Sequence, residues 1–278
     1  MTGKGPAIDA LKLLSGFAVR VLTGGGIAAI MLLVVFYGQT TGVGVLFSLI
    51  SMASVRELYR IIRPNQKYTT DFLGIAMTGA LPLAAAYGGY SGLIAATALG
   101  ALLCMFVHCL LLGLRTSECA VTIFGAIYIG FMLSHLVLLH NLESGLIIAL
   151  ATILGVWAND VFAYLIGSAF GKHKLAPRIS PKKSWEGFFG GAVFTVATWA
   201  ALSLFPQANL ELYELIVIGA CIALTAVAGD LLESRIKREA GVKDSGRIFP
   251  GHGGMLDRFD SLIVVSPVAF YLYLLMGA

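Results

Sequence analysis

Asp230, Ser234 and Lys237 stand at i, i+4 and i+7, so a helix through them carries a carboxylate, a hydroxyl and an ammonium in one column. Glu233 and Arg238 flank that column. Further on, Asp257 and Asp260 are three residues apart at the start of another apolar run, with Arg258 between them pointing elsewhere. If the two helix ends meet, Asp230, Asp257 and Asp260 converge, and carboxylate oxygens with room for water and phosphate are the ligand set of Mg²⁺. Between the columns, Gly241, Gly246, Gly251, Gly253 and Gly254 with Pro250 make a segment that cannot be regular helix but can bring backbone N–H groups close to phosphate. Lys243 and His252 lie in that segment and suit phosphate contact, His252 proton handling as well. Residues 234–260 gather ten of the 34 charged residues of a chain that is 58% hydrophobic. Chemistry on an anionic phosphate substrate with a metal is the natural use of such an island.

A second polar group precedes it. Asn159 and Asp160 sit deep in an apolar run, where an acid at a helix centre costs roughly 2.5–3.5 kcal/mol. Asp160 should therefore face a wet cavity, with Tyr164 one turn later on the same face and Asn159 able to donate and accept toward a base or ribose. A basic loop follows, with Lys172, Lys174, Arg178, Lys182 and Lys183. Pro177 and Pro181 stop helix there, and Ser184 is placed to cap the next one. Lys182, Lys183 and Ser184 beside a helix start suit anion binding, whereas Lys172 and Lys174 equally suit snorkelling against lipid headgroups. Gly167 to Lys172 is not a phosphate-binding P-loop, because the glycine spacing is one residue short and His173 stands where Ser or Thr is required.

The elements that must position these residues are read from hydropathy. A mean hydropathy of +0.87 with 12% charged residues excludes a soluble globular domain. Runs of about 20 apolar residues, rather than alternating strands, predict helices crossing a bilayer and an all-α polytopic membrane protein. Nine segments are predicted, near 20–38, 40–62, 70–88, 91–114, 118–140, 145–169, 185–205, 212–233 and 259–277. With the amino terminus cytoplasmic, all 19 Lys and Arg fall on one side, while the other carries Glu143, Glu211 and Glu214. The net charge of +4 is thus a membrane-topology signal and not a nucleic-acid footprint. The first twenty residues lack the pattern of a signal peptide. Cys104, Cys109, Cys119 and Cys221 form no CxxC pair, so packing is their expected role. The chain divides into residues 1–141, five apolar spans with little chemistry, and residues 142–278, four spans with cytosolic loops at 171–186 and 233–260. Function is expected in the second part.

The pattern S-x-I-K-R-x4-K-D-x-G-x2-F-P-x-H-G-G-M-x-D-R-F-D, read from Ser234 to Asp260, resembles the signature of phosphatidate cytidylyltransferases, also called CDP-diacylglycerol synthases. Asn159-Asp160, the segment from Ser180 to Gly187 and Gly229-Asp230 are similar to that family as well. The resemblance covers roughly residues 155 to 262. It implies transfer of CMP from CTP to phosphatidic acid, an active site on the cytosolic face of a bacterial-type inner membrane, and a homodimer. It implies Mg²⁺, one ion or two, with room for a monovalent cation. Asp230, Asp257 and Asp260 would then bind metal. Lys237, Arg238, Lys243 and Arg258 would hold phosphates, and Ser234 belongs to the same column. Lys182, Lys183, Ser184 and His252 would meet CTP or the lipid phosphate, and Asn159 with Asp160 the nucleotide or metal. Two other readings use similar residues: a nucleotide-dependent lipid-alcohol (polyprenol or phytol) kinase, and an anion transporter with Asp160 as a midplane coupling residue.

Overall fold

The computed structural model describes residues 23–64, 69–249 and 253–277, so His252 of the sequence reading lies outside the described residues. The chain is nearly all helix. In order it forms α1 (Thr23–Tyr37), α2 (Gln39–Ile62), α3 (Thr69–Leu110), α4 (Thr116–Gly125), a π-helical turn (Ala126–Phe131) and α5 (Met132–His140). Then come α6 (Gly145–Phe170), strands β1 (Lys174–Ala176) and β2 (Ser180–Ser184), α7 (Trp185–Ala200), α8 (Leu212–Glu239) and α9 (Leu256–Met276).

Among the described residues, six helical stretches are long and apolar enough to cross a membrane: Thr70–Leu110, Thr116–His140, Gly145–Phe170, Trp185–Leu204, Leu212–Glu239 and Leu256–Met276. The chain is therefore an integral membrane protein. The nine predicted segments all fall on helix where the chain is described, yet three do not count separately. α1 is a shorter apolar helix. α2 carries Arg56, Glu57 and Arg60 in its last turns. α3 is a single stretch by its hydrogen bonding but breaks at Gly89, whose φ of 59° only glycine adopts readily. Beyond Gly89 the second half folds back, so that Gly92 lies against Ala84 and Gly100 against Met77.

One departure from the all-helical expectation has a local cause. The basic loop is an antiparallel hairpin of β1 and β2, with Lys174 opposite Ser184 and Ala176 opposite Ser180. Pro177 and Pro181 forbid helix there, and a two-stranded pairing satisfies the backbone instead. α8 continues past the end of the predicted span at 233 to Glu239, as the column of Asp230, Ser234 and Lys237 requires. The extra turns are polar and carry two i, i+4 ion pairs, Glu233 with Lys237 and Arg235 with Glu239. They stop at Gly241, left-handed with φ 70°, where Val242 N bonds Lys237 O at 2.9 Å and Gly241 N bonds Arg238 O at 3.1 Å.

One apolar core runs through the bundle, from Phe47 and Leu58 of α2 through Leu133 of α5 and Ile153 of α6 to Trp199, Leu215 and Ile263. The polar turns gather at one end of it. There Arg63 reaches Asp71 at 2.5 Å and the Glu118 carbonyl, and Lys183 reaches Asp230 at 2.5 Å. At the opposite end Thr40 bonds Asn141 and Ser144 bonds the Gln207 carbonyl.

Candidate active site

α8 and α9 cross where Gly229 leaves no side chain between them: a Cβ there would stand 2.8 Å from the Asp260 carbonyl and 3.0 Å from the Ser261 Cα. This close approach puts Asp230 beside Asp260. Their charges interact with each other and with those of Asp160, and Glu233 also lies within electrostatic reach of Asp260. Lys183 and Arg258 act on Asp160 from the cationic side. Acids of α6, α8 and α9 and a lysine of β2 thus share one end of the bundle.

A valine at position 229 would press against α9 backbone, which cannot swing aside as a flexible side chain can. Overpacking of this kind costs about 1–3 kcal/mol. Gly229→Val is expected to lower the thermal midpoint of the detergent-purified protein in scanning fluorimetry; an unchanged midpoint would show that the crossing is looser than described.

The predicted column on α8 is present. Ser234 Oγ donates to Asp230 Oδ1 at 3.2 Å, and Lys183 Nζ meets the other oxygen of Asp230. Lys237, only 9% exposed, bonds Asp257 Oδ1 at 2.6 Å and pairs with Glu233, which is 1% exposed. A buried ammonium between two carboxylates is held far more firmly than a surface ion pair.

Asp257 and Asp260 are separated in role although one turn apart. Both oxygens of Asp257 accept bonds: Ser245 N lies 2.9 Å from Oδ2, Gly254 N 2.8 Å from Oδ2, and Lys237 Nζ takes Oδ1. Asp257 therefore closes the glycine-rich loop onto α9. Gly253, at φ 85°, has no room for a Cβ because Asp257 Oδ2 would stand 2.6 Å from it. Asp260 accepts from Ser261 N at 2.7 Å through Oδ1, and no lysine or arginine pairs with it among the described residues.

The remaining predicted residues are placed as follows. Ser184 is buried and caps α7, its Oγ accepting from Gly187 N at 3.2 Å. Asn159 is 1% exposed, and its Oδ1 lies over Gly191 of α7, that oxygen having no hydrogen-bond partner among the described residues. Lys182, Lys243 and Arg258 are exposed and form no ion pair among the described residues, and Arg238 bonds the Val242 carbonyl. Tyr164 is exposed.

Two groups from the amino-terminal part reach this region, and the sequence reading assigned neither. Glu57 of α2, 2% exposed, accepts from Ser245 Oγ and Leu256 N, both at 2.9 Å. Tyr128, in the π-helical turn, is buried with its hydroxyl unpartnered among the described residues and within electrostatic reach of Asp260, Glu233 and Asp230. The available signal for Glu57 is its register. Ile50, Ser54, Glu57 and Ile61 fall on one buried face of α2, so an acid stands on a core-facing stripe.

As a test of metal fit, no group of three or more His, Cys, Asp or Glu is already closed around a metal position among the described residues. The donor chemistry nevertheless suits a hard cation: Asp160, Asp230 and Asp260 lie within electrostatic reach of one another, and the buried Ser261 hydroxyl beside Asp260 in sequence has no partner among the described residues. Asp257 differs, its oxygens being already engaged.

The model of the Cytidylyltransferase family matches residues 18–276. Among curated relatives, the chain is 45% identical over 140 residues to a phosphatidate cytidylyltransferase of Staphylococcus saprophyticus, an alignment covering 50% of this chain and 52% of that protein. It is 40% identical over 153 residues to the phosphatidate cytidylyltransferase of Bacillus subtilis, covering 55% and 57%. The chain thus spans about half the length of the curated relatives it matches. With the family match running through every described helix and through the acidic end of the bundle, the chain belongs to the Cytidylyltransferase family.

Proposed function

We propose that the protein transfers a cytidylyl group from CTP to phosphatidic acid, giving CDP-diacylglycerol and pyrophosphate. The observation that carries this reading is the convergence of Asp160, Asp230 and Asp260 with Lys183 and Arg258 at one end of an apolar bundle. A polyphosphate and a lipid phosphate need cations and a metal, and a diacyl substrate needs a bilayer. The names carried by the curated relatives support the same reaction.

An oxygen of the lipid phosphate attacks the α-phosphorus of CTP, the bond from that phosphorus to the bridging oxygen breaks, and pyrophosphate leaves with the electron pair. The nucleophile is already an anion, so no covalent protein intermediate is required. What is required is alignment and charge neutralisation. Lys183 and Arg258, together with Lys182, Lys243 and Arg238, hold phosphates in this reading. Asp230 and Asp260, with Asp160 beside them, would hold Mg²⁺. Asp257 keeps Lys237 and the glycine-rich loop in place. When bound, the metal would supply neutralisation of charge on the triphosphate. Nine spans, a cytoplasmic amino terminus, a cytosolic active site in a bacterial inner membrane and a homodimer complete the proposal.

The test is a product assay on detergent-purified protein with Mg²⁺. Label from [α-³²P]CTP should enter the lipid phase only when phosphatidic acid is present, with one pyrophosphate per labelled lipid. Label from a γ-phosphate entering a polyprenol instead would assign the lipid-alcohol kinase reaction.

A further inference from the structure

We propose that Glu57 of α2 is a positioning residue for Asp257 and Lys237, so that the amino-terminal part of the chain sets the geometry of the reactive end. The proposal rests on the reading of those residues in cytidylyl transfer. A single carboxylate oxygen, Oε2, takes bonds from two points eleven residues apart: Ser245 Oγ near the start of the glycine-rich loop and Leu256 N at its end. Ser245 then relays the contact. Its N–H donates to Asp257 Oδ2 at 2.9 Å, and its Oγ accepts from Asp257 N at 3.3 Å. Asp257 in turn holds Lys237. An unbroken chain, Glu57 to Ser245 to Asp257 to Lys237, therefore joins α2 to α8 through the loop.

Burying a carboxylate is costly unless its partners repay the lost water. A stripe made by Ile50 and Ile61 would pack as well with an apolar residue at 57. The loop is also shaped around this acid. The three heavy atoms nearest to a Cβ on Gly246 would all belong to the Glu57 side chain, and a Cβ on Gly254 would meet both Glu57 and Ser245 Oγ. Gly246 has no left-handed φ, so its backbone does not demand glycine, and the first obstacle to a side chain there is Glu57.

The test is a double-mutant cycle on the full-length protein in detergent, with Glu57→Ala, Gly246→Ala and the combination, and Glu57→Gln as the conservative variant. Two readouts are taken: steady-state kinetics with CTP and phosphatidic acid, and tryptic cleavage after the exposed Lys243 and Arg247, which needs no turnover. Expected for Glu57→Ala is a fall in kcat of roughly 100-fold with KM for phosphatidic acid changed less than about threefold, and cleavage faster by about tenfold. Glu57→Gln, which can still accept both bonds, should recover about tenfold of that kcat. Gly246→Ala should slow the wild type by about tenfold but change the Glu57→Ala protein by less than about twofold. Independent, multiplying effects of the two changes, or wild-type cleavage and kcat in Glu57→Ala, would overturn the proposal. If Glu57→Ala does not fold, Ser245→Ala replaces it, with faster cleavage and lower kcat expected and wild-type values overturning the relay. A wild type without cytidylyl transfer would refute the reaction, while the cleavage pattern would still decide the clamp.

Discussion

Asp257→Ala is expected to lower kcat/KM for cytidylyl transfer by about 10³-fold, the larger part of it in kcat. Removing this side chain takes away the acceptor for three donors at once: the Lys237 ammonium and the N–H groups of Ser245 and Gly254. Lys237 is nearly buried and would be left with Glu233 alone. Breaking such a pair from one side costs about 3–5 kcal/mol, and each 1.36 kcal/mol that reaches the transition state is a factor of ten. Asp257→Asn keeps an acceptor for the N–H groups but loses the charge that holds Lys237, so its activity should lie between wild type and alanine. Kinetics of the three proteins under saturating lipid check this order; an alanine variant within threefold of wild type would remove Asp257 from the account.

The second large effect is expected at Asp260. No lysine or arginine pairs with this carboxylate among the described residues, while Asp160, Asp230 and Glu233 add negative charge around it. Such a cluster is stable only when a cation or protons balance it. Asp260→Asn removes one charge with almost no change of shape. It should lower kcat by about 10³-fold, equivalent to about 4 kcal/mol of transition-state stabilisation. It should also raise the Mg²⁺ concentration for half-maximal rate, because the remaining carboxylates attract a divalent ion less. Magnesium titrations of wild type and variant read both effects. A rate loss with an unchanged magnesium midpoint would give Asp260 a role other than holding metal.

The parts of this arrangement that depend on local sequence were legible. The apolar segments coincide with helices because twenty apolar residues have few other ways to satisfy their backbone in lipid. Ser184 caps α7 and Ser234 bonds Asp230 because capping and i, i+4 contact are set by spacing alone. Contacts between distant segments were not legible. Glu57 lies 188 residues from Ser245, and neither residue carries a motif that names the other. The spacing of Asp257 and Asp260 suggested two oxygens facing one way; it could not show that Asp257 is also held by the loop N–H groups of Ser245 and Gly254 while its Oδ1 takes Lys237 of α8. Gly246 suggested a cradle for phosphate, but Glu57 fills the space beside it. Glycine spacing reports that something approaches closely, not what approaches.

The central claim is that carboxylates of separate helices hold a divalent ion where CTP reacts. Electron paramagnetic resonance of Mn²⁺ added to the purified protein with CTP tests it most directly. The account predicts a bound Mn²⁺ signal in the wild type, weakened at least tenfold in affinity by Asp230→Asn and by Asp260→Asn. Mn²⁺ bound equally well by all three proteins would contradict it.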